Sequence, residues 1–158
     1  MSDIDLTVSV DVNVAADLVW RRVTDWGSQG EWMLGTRVTV TAGDGRSVGS
    51  RLAAFTGVGP VGFIDTMEVV EYVEGGPWRA VVAHTGKVVR GDGVFEVVEL
   101  GPRRCRLAWT ELLELPLGAL GRAGWPLVRP VFREGVAHSL RKLARLCEAE
   151  HRARGTLS

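Results

Sequence analysis

The feature that most constrains this chain is a series of six β-like runs between residues 36 and 115, followed by one helical stripe and no further strand. The runs are TRVTVTA, SRLAAFT, FIDTMEVVEYV, WRAVVAHT, KVVRGDGVFEVVEL and RCRLAWTELLEL, rich in β-branched and aromatic residues. Gly, Pro and Asp punctuate them at 43–45, 57–62, 75–77, 86 and 101–102. Spacers this short favour hairpins over crossovers, and so predict an antiparallel meander. Upstream, residues 5–14 (DLTVSVDVNV) alternate, with Leu6, Val8, Val10 and Val12 on one face and polar residues on the other, which predicts a half-buried strand. The stretch AADLVWRRVTDW over 15–26 places Ala15, Leu18, Val19 and Val23 at helical spacing, and GSQGEWMLG over 27–35 reads as a turn or one more helical turn.

After residue 115 the period changes. Pro116, Pro126 and Pro130 with Gly118, Gly121 and Gly124 predict an irregular connection. Beyond it Phe132, Val136, Leu140, Leu143 and Cys147 step by three and four along one long amphipathic helix, with Arg133, Arg141, Lys142 and Arg145 mostly outside the stripe. An antiparallel sheet with one apolar face needs a cover, and the terminal helix supplies it. The expected class is α+β, in one domain over residues 1–158, since no repeat, linker or low-complexity segment divides the chain.

Composition excludes several alternatives. Nineteen acidic and nineteen basic residues cancel, so no overall field draws the chain to nucleic acid, although from Arg122 onward eight basic residues face three acidic ones. That basic helix reads as a solvated face, with contact to an anionic membrane or a partner as the sharper reading. No apolar run of bilayer length occurs, and MSDIDLTVSV has no signal-peptide character, so the expected location is the cytoplasm. Cys105 and Cys147 lack metal-ligand spacing and are expected as free buried thiols, with no metal and no cofactor. Seventeen arginines against two lysines suit a GC-rich bacterial genome.

GVGPVG at 57–62 satisfies GxGxxG, but a strand-like run follows it and Pro60 sits inside it, whereas a dinucleotide site needs a helix N-terminus there. It reads as a glycine-rich hairpin loop that could form a cavity lip. In RCRLAWTELLEL the parity that buries Cys105, Leu107 and Trp109 also turns Glu111 inward. A carboxylate there is either a polar anchor or general base in an apolar site, or it is solvated or arginine-paired at the sheet end. His84 shares parity with Val82, and Asp65 with Met67, so either can reach the same interior, although a lone His near a strand end is commonly a surface or satisfied core residue. No nucleophile is visibly paired with a base.

In its order of elements the chain resembles the START-like (SRPBCC) superfamily, in particular bacterial polyketide cyclase/dehydrase-like proteins. The likeness rests on the opening strand followed by AADLVWRRVTDW, the tryptophan of GEWM, the pair GKVVRGDGVFEV and RCRLAWTELLELP, and the terminal SLRKLARL. The resemblance implies a helix-grip fold, a curved seven-stranded antiparallel sheet wrapped around the C-terminal helix with an internal cavity between them. It implies as cavity wall Trp32 near the mouth, Phe95 and Trp109 on facing strands, and Phe132 and Val136 on the helix. Met67 and Val82 join these as ligand-binding candidates, and Glu111, His84 and Asp65 are the candidate polar or catalytic groups. The expected activity is binding or transport of a small hydrophobic, lipid-like or polyketide-like molecule by a monomer or homodimer. The alternative is an aromatase/cyclase or dehydratase acting on a bound intermediate.

Overall fold

A computed structural model describes residues 2–155. The strands are β1 (Ile4–Val12), β2 (Thr36–Ala42), β3 (Arg51–Val58), β4 (Val61–Val73), β5 (Trp78–His84), β6 (Arg90–Gly101) and β7 (Arg104–Glu114). They form one sheet in the order β1-β7-β6-β5-β4-β3-β2, antiparallel at every step. The meander from β2 to β7 is what the short spacers predict, and β1 closes the far edge on β7, where Leu6 pairs with Glu111 and Val8 with Trp109. Between β1 and β2 lie α1 (Ala16–Val23) and a 3-10 turn over Trp26–Glu31. This is the helix-grip fold expected from the sequence.

Period-two burial builds the interior. Along β7, Cys105, Leu107, Trp109, Glu111 and Leu113 are all buried, and along β1 so are Ile4, Leu6 and Val8. On β4, Asp65, Met67 and Val69 point inward, and a register shift between Val69 and Glu71 then brings Tyr72 opposite the buried Ala80. Tyr72 packs there against Trp20 of α1, with ring centroids 5.6 Å apart. From α1, Ala16, Val19, Trp20 and Val23 enter the same core.

Helix α2 (Ala119–Gly155) is longer than its pattern predicts. The connection expected around Pro126 and Pro130 is helical instead. Each proline deprives one carbonyl four residues back of its donor and normally breaks a helix. Here Pro126, Leu127, Val128, Arg129 and Pro130 are not buried, so water can satisfy what the prolines leave open. The buried residues of α2 begin only at Val136 and continue through Ser139, Leu140, Leu143, Ala144 and Cys147. Full burial of Leu140 and Leu143 contributes about 1.5–3 kcal/mol each. The helix thus grips the sheet with its C-terminal half, and its N-terminal half overhangs the sheet end where β7 finishes and β6 begins. Among the described residues, no helix is long and apolar enough to cross a membrane.

Candidate functional site

Where the overhang begins, α2 and the concave sheet stand apart around a cavity of about 360 Å³. Its floor comes from β3 to β7, through Ala54, Met67, Val82, Phe95 and Trp109, and its roof is Phe132, Val136 and Ser139 of α2. Trp26, Gln29 and Met33 close the side formed by the 3-10 turn and the loop after it. Leu34 and Phe63 line the cavity while remaining exposed, which marks the opening.

Of the wall residues expected from the sequence, Met67, Val82, His84, Phe95, Trp109, Glu111, Phe132 and Val136 all line this space. Trp32 does not, and its expected place near the mouth is corrected. It is 1% exposed and stands behind the wall, edge-on to Phe95 at 6.4 Å and to Trp109 at 6.2 Å between ring centroids. Phe95 and Trp109 themselves lie 5.3 Å apart, paired across β6 and β7. Trp32 therefore fixes the wall by packing, while Trp26 and Met33 from the same segment reach the cavity. Gln29, Thr56 and Ser139 also line it and went unread: Gln29 and Thr56 lie on an irregular segment and near a strand end, where parity gives no signal, and Ser139 lies on the buried face of α2 but is polar and so falls outside an apolar stripe. Ser139 Oγ is fully engaged, donating to Gly135 O and accepting from Leu34 N, both at 3.0 Å.

The polar candidates, read separately in the sequence, form one cluster. His84 Nδ1 donates to Asp65 Oδ2 at 2.6 Å, and Trp109 Nε1 donates to Glu111 Oε1 at 2.6 Å. His84 Nε2 faces Glu111 Oε2 at 3.6 Å. Glu111 is neither solvated nor paired with an arginine, and His84 is not alone. His84 and Glu111 stand on β5 and β7, strands roughly 9–10 Å apart with β6 between them. On β6 the partner of His84 is Gly91 and the partner of Glu111 is Gly93, so neither position puts a side chain between them. A Cβ on Gly93 would lie 3.3 Å from Val82 Cγ2 and 3.6 Å from both Glu111 oxygens.

Burial alone would push the His84 imidazole down, yet its hydrogen bond to Asp65 and the nearby Glu111 carboxylate outweigh this and raise it to about 9. The ring is therefore an imidazolium at neutral pH and carries a proton on each nitrogen. Among the described residues, no ionisable side chain beyond these three lines the cavity. Asp65 Oδ1, His84 Nε2 and Glu111 Oε2 are buried without a hydrogen-bond partner, so the cluster keeps unused donor and acceptor capacity beside an apolar space. Among the described residues, no group of three or more His, Cys, Asp or Glu side chains is placed to hold a metal ion.

The glycine motif at 57–62 is the β3–β4 hairpin. Gly57 pairs with Gly62, and a Cβ on either would fall 2.2 Å from a backbone oxygen across the hairpin, which is why both are glycine. The strand β4 follows, leaving no helix N-terminus to receive a phosphate. The cysteines are free and buried, and burial pushes Cys105 up to about 11 and Cys147 up to about 12. The arginines of α2 lie mostly on its exposed side, where Arg141 pairs with Glu134 and Arg122 lies 3.7 Å from Asp3.

Solved structures of the same fold share little sequence with this chain. A protein from Thermus thermophilus is 16% identical, with a TM-score of 0.77 over 93% of this chain and 99% of its own. An aromatase/cyclase from Streptomyces sp. R1128 is 16% identical, with a TM-score of 0.74 over 96% of this chain and 98% of its own. A START superfamily protein from Mycobacterium smegmatis is 16% identical, with a TM-score of 0.61 over 92% and 95% respectively. No curated protein matches the sequence significantly. Residues 3–148 match the family described as polyketide cyclase/dehydrase and lipid transport. With that match along nearly its whole length, the chain belongs to the polyketide cyclase/dehydrase and lipid transport family, and its sheet gripping a terminal helix is the fold of START superfamily proteins.

Proposed function

We propose that the chain binds a small, mostly apolar molecule in the cavity and orients it by a single polar group against His84 and Glu111. The observation that carries this reading is the lining: an apolar and aromatic wall around about 360 Å³, interrupted by one ionisable cluster with unsatisfied atoms. Such a site draws affinity from buried apolar contact and orientation from a few convergent polar groups. A hydroxyl on the ligand would satisfy both free atoms, accepting from His84 Nε2 and donating to Glu111 Oε2, and a carbonyl would satisfy His84 alone, whereas a purely aliphatic ligand would leave both unpaired at a cost of about 1–3 kcal/mol. Fused-ring phenols and ketones match this wall better than long alkyl chains, because Trp109 and Phe95 add aromatic surface on which a flat ring can pack.

The same cluster favours a second reading, catalysis on a bound intermediate, which is the activity named for the Streptomyces aromatase/cyclase of the same fold. A charged imidazole held beside a carboxylate in an apolar cavity is a common arrangement for proton transfer.

Mass spectrometry of an organic extract of the purified, heat-denatured chain, set against a mock purification from the same host, tests the binding reading directly. A stoichiometric apolar compound with one carbonyl or hydroxyl function is expected. A compound that is stoichiometric but highly charged or sugar-like would contradict the assignment.

A further inference from the structure

Strand register brings four separate segments to one end of the sheet. They are the start of β2, where Thr36 pairs with Thr56, the β3–β4 hairpin, the β5–β6 loop, where His84 pairs with Gly91, and the β7–α2 connection, beside which Arg90 pairs with Glu114. The cavity opens at this end, at Leu34 and Phe63. Each segment leaves large apolar side chains in the open. Leu34 precedes β2, Val58 and Val61 form the hairpin tip, and Val88 lies in the β5–β6 loop. On the overhanging half of α2, Leu120, Leu127 and Val131 are exposed, and their spacing of seven and four places them on one helix face. Elsewhere among the described residues such side chains are scattered, as with Val48, Val70 and Val98. Single exposed apolar residues need no explanation, whereas a cluster around an opening marks a contact surface.

Charge identifies what the surface fits. Residues 33–37, 57–64, 86–90 and 115–133 hold Arg37, Lys87, Arg90, Arg122, Arg129 and Arg133 and no acidic residue, in a chain whose nineteen bases and nineteen acids cancel. Of the acids bordering these segments, Glu31 is bound by Arg22, Asp65 by His84 and Glu134 by Arg141. Glu114 stands opposite Arg90, and Asp3 accepts from Leu115 N and lies 3.7 Å from Arg122. Apolar tips among arginines and lysines suit the boundary of an anionic bilayer, where the apolar groups enter the acyl edge and the cations reach the phosphates. A second copy suits it less, because a twofold dimer sets the same patch against itself and brings these cations face to face.

We propose that this end of the molecule is a membrane-docking surface, on which the chain rests with its cavity mouth against an anionic phospholipid bilayer. Attachment is peripheral, since no helix of the described residues can cross a membrane. Leu120, Leu127 and Val131 enter beside the hairpin tip, and Lys87, Arg122 and Arg129 meet the headgroups. A molecule dissolved among the acyl chains then reaches the cavity past Leu34 and Phe63 without crossing water. The surface lies outside the cavity, so docking does not depend on what the cavity binds.

The test is flotation of the full chain with vesicles of phosphatidylcholine alone and of equal parts phosphatidylcholine and phosphatidylglycerol. Each is run at about 0.1 M and about 1 M salt, between which the screening length falls from about 10 Å to about 3 Å. Partitioning into the mixed vesicles at the lower salt should exceed that into phosphatidylcholine by about tenfold or more, and the excess should disappear at the higher salt. Leu127→Asp and Val58→Asp, at positions 83% and 86% exposed, should each weaken partitioning by about tenfold or more with unchanged circular dichroism. Arg129→Glu should weaken it by about tenfold, and Val98→Asp, exposed on β6, should leave it unchanged. If one of the two aspartate variants fails to fold, the other carries the test. No partitioning into the mixed vesicles at the lower salt overturns the proposal, as does partitioning undiminished in Leu127→Asp and Val58→Asp. A dimer in light scattering that Leu127→Asp converts to monomer assigns the patch to a second copy and also overturns it. Each of these results leaves the binding reading standing.

Discussion

Raising the pH from 6.5 to 9 should remove a definite share of the protein's stability through one side chain. His84 sits at about 9 in the folded state against 6.5 when unfolded. Because the folded value is the higher one, the stabilisation is fully present below pH 6.5 and is lost as pH rises through about 9. That difference corresponds to about 3 kcal/mol, with a slope approaching 1.4 kcal/mol per pH unit in the middle of the window. The His84 side chain is only 9% exposed, so solvent screening does not erode the figure much. The charges facing it are Asp65 from β4 and Glu111 from β7, and among the described residues no other ionisable group lines the cavity. Urea unfolding followed by tryptophan fluorescence, repeated at half-unit steps from pH 6 to pH 9, gives the profile. From about pH 8 the cysteines mix in, because free thiols ionise around 9.0 and the folded values of about 11 and 12 lie higher, so the comparison with His84→Gln is read below pH 8. His84→Gln should be less stable at pH 6.5 and should lack the slope. Parallel profiles for the parent and His84→Gln would refute the reasoning, because the interaction would then not depend on the imidazole charge.

Three further outcomes follow from packing. Gly93→Ala should leave the fold intact and cost about 1 kcal/mol in urea unfolding, since its Cβ comes within 3.3 Å of Val82 Cγ2 while meeting the Glu111 oxygens at an ordinary 3.6 Å. Gly57→Ala should destabilise by about 1–3 kcal/mol in the same assay, because its Cβ falls 2.2 Å from Val61 O across the hairpin. Neither Cys105 nor Cys147 should react with an aromatic disulfide reagent at pH 8 in the native state, and both should react once urea unfolds the chain, given their burial and raised values.

The elements legible in the sequence are those fixed by local periodicity. Alternation on β7 placed Cys105, Leu107, Trp109 and Glu111 on the inner face, and the three-four stripe of α2 named Val136, Leu140, Leu143 and Cys147, because burial on one face imposes those periods directly. The start of α2 was not legible. Pro126 and Pro130 signal a break only where the backbone cannot turn to water, and exposure of that stretch is a tertiary property. The meeting of His84 with Glu111 was hidden for a similar reason. Parity gives the direction of each side chain, but their proximity depends on which β6 residues lie between them, and hence on the register that pairs Gly91 with His84 and Gly93 with Glu111. Two inward polar residues on alternate strands flanking a glycine would be the signal to seek. Trp32 was misplaced because a tryptophan in an irregular segment has no period to fix its direction.

The central claim, a cavity that takes one small apolar molecule, is tested most directly by isothermal titration of the chain with 1-naphthol, in the parent and in Ala54→Leu. Ala54 is 4% exposed and lines the cavity opposite Asp65, so a leucine there fills the space from the β3 side. The account predicts one saturable site per chain in the parent, lost or weakened at least tenfold in an Ala54→Leu variant that remains folded. Binding of equal strength in both proteins would place the ligand elsewhere and contradict the account.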